Sequence, residues 1–155
     1  MTLSTDEKLF SRPGFLIRRL HQIHTGLFYA ETQEFNMTPV QYSLLSALAE
    51  RSELDQNALA LEIGLERSSV AEVLPRLESR GLISRRPAES DKRVRLVRLT
   101  GEGADLVERM ARAAQRAHDK TLEQLSEAER DVFMLQMIRL VESNNEHSVA
   151  PLKIQ

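Results

Sequence analysis

The sequence predicts a mainly α-helical fold with one small β-hairpin, and three observations carry that prediction. Most of the chain falls into segments whose apolar positions recur every three to four residues. A short helical segment, residues 54–64, passes through Gly64 into a second helical segment with a wholly polar face. Two short runs rich in branched residues, 82–86 and 93–99, are then joined by the polar turn "PAESDK". Helix, helix, short helix, glycine turn, helix, hairpin: that order describes a winged helix-turn-helix, here flanked by N- and C-terminal helices whose apolar faces call for a dimer.

Each element has its own signal. Between Gly14 and Glu34, Leu16, Leu20, Ile23 and Leu27 form one stripe, so residues 12–36 are read as an N-terminal dimerisation helix. "TPVQYSLLSALAE" opens the winged lobe, residues 37–100, with Thr38 as N-cap, Pro39 at the first helical position and Gln41 completing a capping box. Asp55 caps the short helix and Gly64 ends it. In the following helix Val70, Leu74 and Leu77 share one face, leaving Ser68, Glu72 and Ser79 opposite it and Ser69 and Arg76 on the flank. Pro75 lies inside this helix, where it removes a hydrogen bond at a cost of about 3 kcal/mol, so a kink is expected. Val94 and Leu96 share one parity of the second strand while Val97 and Leu99 share the other, which predicts a twist or bulge near Leu96. Thr100 caps a long helix, and Ser126 with Glu129 forms a second capping box before the last one; together they make C-terminal dimerisation helices over 101–146. Residues 1–11 and 147–155 are read as flexible termini.

Composition narrows the function. With no cysteine, the chain has no disulfide framework, thiolate metal site or cysteine nucleophile. No apolar run approaches the roughly 18 residues that cross a bilayer, and "MTLSTDEKLFSRPG" lacks the order of a signal peptide, so a cytoplasmic protein without membrane contact is expected. No phosphate loop, H-E-x-x-H or G-x-S-x-G is present, which argues against an enzyme. Charge is distributed unevenly. Residues 66–98 hold nine Lys/Arg against five acids, whereas the rest holds twelve against eighteen, within a net charge of -2. A basic island on an acidic body is the footprint of a nucleic-acid surface.

Two segments, "LALEIGLERSSVAEVLPRLESRGLISR" and "SDKRVRLVRLTGEG", resemble the multiple-antibiotic-resistance regulator (MarR) family of transcription factors. Asp91-Lys92-Arg93 is similar to the family's Asp-x-Arg wing signature, and Leu99-Thr100 to its passage into the next helix. The resemblance spans nearly the whole chain. It implies a homodimer with intertwined first and last helices, two winged lobes on a pseudo-palindromic operator in double-stranded DNA, an Arg93 that reaches the minor groove, and an Asp91 that braces the wing through a basic neighbour. A guanidinium also suits the negative potential of a narrow minor groove on physical grounds. The expected DNA-facing residues are Thr38, Gln56, Arg67, Ser68, Ser69, Glu72, Arg76, Arg86, Asp91, Lys92, Arg93 and Arg95.

"RRLHQIHTGLF" places His21 and His24 one turn apart beside Phe28, with Arg19 on the other edge of the stripe. The family resemblance implies that small aromatic acids bind between the dimerisation helices and the lobe. Arg19, His21, His24, Phe28, Gln41 and Tyr42 are the candidate ligand residues: a cation for the carboxylate, rings to cover the aromatic face. The expected activity is repression of a catabolic or efflux operon, relieved by an aromatic or heteroaromatic acid, with no cofactor. Two other readings stay open. His21-x-x-His24 supplies two of the three or four ligands of a metal sensor, and the long terminal helices also suit a protein-interaction module without DNA.

Overall fold

The computed structural model describes residues 9–152. Helix α1 (Pro13–Thr32) starts with proline in its first turn and runs on into a 3-10 turn, Gln33–Phe35, which Asn36 ends in the left-handed conformation (φ 49°, ψ 53°). Helix α2 (Pro39–Arg51) has the expected capping box, with Thr38 and Gln41 bonding reciprocally. A short strand, β1 (Glu53–Asp55), leads into helix α3 (Gln56–Ile63). That helix begins where the Asp55 carboxylate accepts from the Asn57 and Ala58 N–H groups, and it ends at left-handed Gly64. Helix α4 (Arg67–Ser79) follows, then strands β2 (Ile83–Pro87) and β3 (Arg95–Leu99). Helix α5 (Gly101–Thr121) is capped by Thr100, and α6 (Glu127–Ser143) by the Ser126/Glu129 box.

One core joins the lobe to the first and fifth helices. Leu44, Leu45, Leu48, Leu59, Val70, Leu74, Leu77, Val97 and Met110 are almost fully excluded from solvent. Truncating one such leucine to alanine typically costs about 2–5 kcal/mol. The α4 stripe of Val70, Leu74 and Leu77 lies entirely in this core, so its polar flank is turned outward.

The structure departs from the sequence reading at several points. The hairpin gains a third strand: β1 pairs antiparallel with β3, giving the order β1-β3-β2. Three residues are too few to show alternation, and Asp55 serves at once as strand end and helix cap. No bulge interrupts β3: residues 83–87 pair one-to-one with 99–95. Val97 enters the core while Leu96, on the opposite parity, is half-buried, so the strand accommodates both apolar sets without slipping register. Helix α4 spans Pro75 as one element, with the proline inside the helix where the sequence places it and exposed to solvent. Beyond α6 the chain folds back: the Asn145 amide group donates to Leu152 O at 2.7 Å and accepts from its N–H at 2.8 Å. Leu152 thereby abuts Gly64, where an added Cβ would stand 3.4 Å from its Cδ1. The expected loose tail is thus docked as far as Leu152; residues 1–8 and 153–155 of the expected flexible termini lie outside the described residues.

Helix α6 buries none of its residues, and Leu135, Leu140, Val132 and Val141 are more than half exposed. Ile17, Ile23 and Leu16 of α1 are exposed too. Among the described residues no helix is long and apolar enough to cross a membrane.

Candidate nucleic-acid interface and adjoining cavities

Burial of the apolar stripe fixes which side of α4 faces outward. Arg67, Ser68, Glu72 and Arg76 are exposed and Ser69 is half-buried. Glu72 and Arg76 form a long i,i+4 ion pair of 3.8 Å, loose enough to open for another partner. Thr38, exposed at the α2 start, spends its hydroxyl oxygen on the Gln41 N–H. Gln56 is half-buried at the α3 start.

In the wing, Asp91 pairs with Arg93 itself. Asp91 Oδ1 accepts from the Arg93 N–H at 3.0 Å and from Nε at 3.1 Å, and Oδ2 accepts from Nη2 at 3.1 Å. These bonds hold the Asp91 carboxyl below the usual carboxylate range. The Arg93 side chain is nonetheless 91% exposed, so the brace presents the guanidinium instead of hiding it. Lys92 and Arg95 are exposed. Arg86 instead reaches over β3 to Glu53 of β1 with two bonds, at 2.9 and 3.3 Å, and so pins the sheet. Arg85, which the sequence reading passed over, ties β2 to α4 through Glu78 and holds that carboxyl below its ordinary range.

Two open cavities lie against α1. One, of about 810 Å³, is bounded by α1, α2, α5 and α6 and lined by His24, Phe28, Tyr42, Ser46, His118 and Met137 among others. The other, of about 830 Å³, is an apolar trough between α1, α5 and α6 that includes Leu20, His21, His24, His118 and Phe133. His24 and His118 line both; their rings stack at 5.0 Å with planes 13° apart. Thr121 Oγ1 lies 2.8 Å from His24 Nδ1 and donates its single proton to Ala117 O at 2.7 Å. The hydroxyl oxygen therefore accepts from Nδ1–H, which leaves Nε2 as the unprotonated nitrogen of the neutral ring. Burial, then the neighbouring His118 and His21, hold His24 below the usual histidine value.

Of the expected ligand residues, His24, Phe28 and Tyr42 share one cavity, and the Phe28 and Tyr42 rings are 6.0 Å apart. His21 lies in the neighbouring trough. The structure does not bring Arg19 or Gln41 to either: Arg19 bonds Gln22 at the surface, and Gln41 is committed to its capping box beside a third groove near Arg76. Two residues here were not among the expected ligand residues. His118 lies 94 positions from His24, and no local pattern links them. Ser46 Oγ is buried with no hydrogen-bond partner among the described residues. Its place one turn beyond Tyr42 on α2 was the available signal. No group of three or more metal-ligating side chains converges among the described residues, so His21 and His24 gain no third ligand there.

Comparison with known proteins agrees with this geometry. The MarR family model matches residues 37–94. The transcriptional regulator HosA of Escherichia coli is 32% identical over 123 residues, 79% of this chain and 89% of HosA. The PcaV transcriptional regulator from Streptomyces coelicolor, solved in complex with its natural ligand, superposes with a TM-score of 0.82 at 35% identity, over 91% of this chain and 98% of that one. BpsR of Bordetella bronchiseptica, whose DNA binding is regulated by 6-hydroxynicotinic acid, gives a TM-score of 0.80 at 26% identity, covering 90% and 97%. The winged lobe, its exposed Asp-x-Arg tip and these relatives lead to one assignment: the chain belongs to the MarR family of transcriptional regulators.

Proposed function

We propose that this regulator is a cytoplasmic homodimer that represses a catabolic or efflux operon and is released from its pseudo-palindromic operator by a small aromatic or heteroaromatic acid. The observation that carries the effector reading is the cavity between α1, α2, α5 and α6. It combines two aromatic rings, Phe28 and Tyr42, a histidine, His24, whose Nδ1 is held by Thr121, and the orphaned Ser46 Oγ. A buried hydroxyl without a partner is costly, and a ligand carboxylate or hydroxyl would satisfy it. PcaV, solved with its natural ligand, supports a ligand-responsive regulator, and BpsR, regulated by 6-hydroxynicotinic acid, supports a heteroaromatic acid as the effector. The dimer reading rests on the apolar surfaces of α1 and α6, which a second copy would cover.

Repression follows if the dimer occupies promoter DNA in the absence of ligand. Two α4 helices must lie roughly 34 Å apart to enter successive major grooves, so a ligand that favours another spacing lowers affinity. The test is binding to the neighbouring intergenic DNA, repeated across a panel of aromatic acids with the unaltered protein, His24→Ala and Ser46→Ala. Release by at least one acid, weakened in both variants, is expected. No acid releasing DNA or raising the melting temperature sinks the effector claim, and a folded monomer in sedimentation at low micromolar concentration sinks the dimer.

A further inference from the structure

One polar contact of the lobe lies at the edge of the groove that Thr38, Gln41 and Arg76 line, and belongs to neither of the two cavities that share His24. Arg80 is the C-cap of α4, and its backbone is fixed there: Gly81, at φ 73°, and Leu82 close the helix end with bonds to Glu78 O at 2.9 Å and Leu77 O at 3.1 Å. The side chain reaches 44 residues back along the chain. Nη1 donates to Asn36 O at 2.8 Å, Nη2 donates to Phe35 O at 3.0 Å, and Met37 Sδ lies 2.9 Å from Nη1. Those carbonyls end the 3-10 turn that continues α1, a place where unpaired acceptors carry partial negative charge and a cation fits.

Thr38, the N-cap of α2, follows Met37 directly. On the other side of Arg80, Gly81 O accepts from Thr100 Oγ1 at 2.6 Å and Leu82 O accepts from the Thr100 N–H at 3.1 Å, attaching the wing base and the α5 start to the same corner. The guanidinium therefore stands where the end of α1 and the start of α2 meet the end of α4, and the next two residues of the chain carry the wing base. The apolar face of α4 packs chiefly on α3 and β2, so the Arg80 fork is a separate polar tie to the end of α1.

We propose that Arg80 is a positioning residue for DNA binding, whose forked guanidinium sets the orientation of α4 and the wing relative to α1. The proposal rests on the DNA-binding reading. A planar guanidinium donating two bonds fixes an angle as well as a distance, which a point-like ammonium does not. Arg80 is solvent-exposed and outside the core, so water can take over the carbonyls when it is removed and the fold survives.

The experiment uses full-length protein with Arg80→Ala and Arg80→Lys. It measures melting temperature, hydrogen exchange over residues 33–41, and affinity, at several salt concentrations, for a duplex selected by the unaltered protein from a random library. Melting should change little and exchange over 33–41 should rise. Affinity should fall roughly tenfold in both variants through lost preorganisation, with an unchanged salt slope. Rescue by lysine, with the slope reduced by about one in the alanine variant, would mean a direct phosphate contact and overturns the proposal. Unchanged affinity in both variants overturns it as well. Should Arg80→Ala fail to fold, Arg80→Lys, which keeps stem and charge, decides alone. If the unaltered protein selects no duplex, the DNA-binding reading fails, and the exchange measurement still tests the tie: no rise over 33–41 refutes it.

Discussion

Replacing Gly103 by alanine sets two effects of known sign against each other. Gly103 is the third residue of α5 and is buried. A Cβ built there would stand 2.0 Å from Leu82 O, 3.0 Å from Leu82 C and 3.2 Å from Leu99 Cδ2. The nearest of these is backbone, so no rotamer change relieves it, and the start of α5 must withdraw from the wing base by about 1 Å. Leu82 O also accepts from the Thr100 N–H, and Thr100 Oγ1 accepts from the Gly103 N–H, both at 3.1 Å, so withdrawal stretches two bonds worth about 0.5–1.5 kcal/mol each. Against this, alanine gains at most about 1 kcal/mol over glycine in helix propensity, and less in a first turn. Overpacking of this kind costs about 1–3 kcal/mol before the stretched bonds are counted, so Gly103→Ala should destabilise by roughly 1–3 kcal/mol net. Gly101→Ala, two residues earlier with nothing within 4 Å of its Cβ, is the control and should be neutral or slightly stabilising. Urea denaturation at one fixed protomer concentration measures both, since stability of an associating protein depends on that concentration. A Gly103→Ala midpoint equal to or above that of the unaltered protein would rule out the clash as the dominant effect.

Other outcomes follow from the same geometry. Arg93→Ala should weaken operator binding without changing the melting temperature, and should flatten the log-log salt slope by about one unit; affinity unchanged at moderate salt counts against a DNA contact at the wing tip. Arg76→Ala should relax base preference, costing about 1–3 kcal/mol on the operator and little on random DNA; equal losses on both would make Arg76 a phosphate contact. His24 has a folded-state pKa below the ordinary histidine value of 6.5, so the unfolded chain takes up that proton first, and its contribution to stability, present above that value, is lost as pH falls from there through the folded pKa. His24→Gln should remove that part of the acid destabilisation, and an identical pH dependence in the variant would show that His24 is not its source.

What the sequence revealed depended on the range of the forces involved. Capping is local, with donor and acceptor three residues apart, and Thr38, Asp55, Thr100 and Ser126 all cap where their neighbours in sequence require. The α4 stripe was equally legible, because helical period alone places Val70, Leu74 and Leu77 together. Strand β1 was not: Glu53–Asp55 is held by a partner more than forty residues away, and nothing within three residues announces that pairing. The cavity was half legible for the same reason. His24 and Phe28 share an α1 face, but His118 joins them only because α1 and α5 pack along each other, and Arg19, near in sequence, points its bonds elsewhere. The wing was legible in part. The resemblance implied that Asp91 braces the wing through a basic neighbour, and that neighbour is Arg93, the very arginine expected on DNA, held by local bonds to its N–H and guanidinium.

On the function proposed above, helix α2 is the mechanical path from the cavity to the DNA-facing surface. Thr38 caps its start on the outer side of the lobe, while Tyr42 and Ser46, one and two turns further on, line the cavity with Phe28 and His24. At 1.5 Å per residue, Ser46 lies only about 12 Å along the axis from the cap, too short a span for a helix to absorb a displacement by bending. Leu44, Leu45 and Leu48 of the same helix are fully buried, so α2 moves with the lobe core and not independently of it. A ligand that fills the space between α1 and α2 therefore acts on the lobe as a body, and the corner where Arg80 joins the end of α1 to the end of α4 sits where that motion must be transmitted.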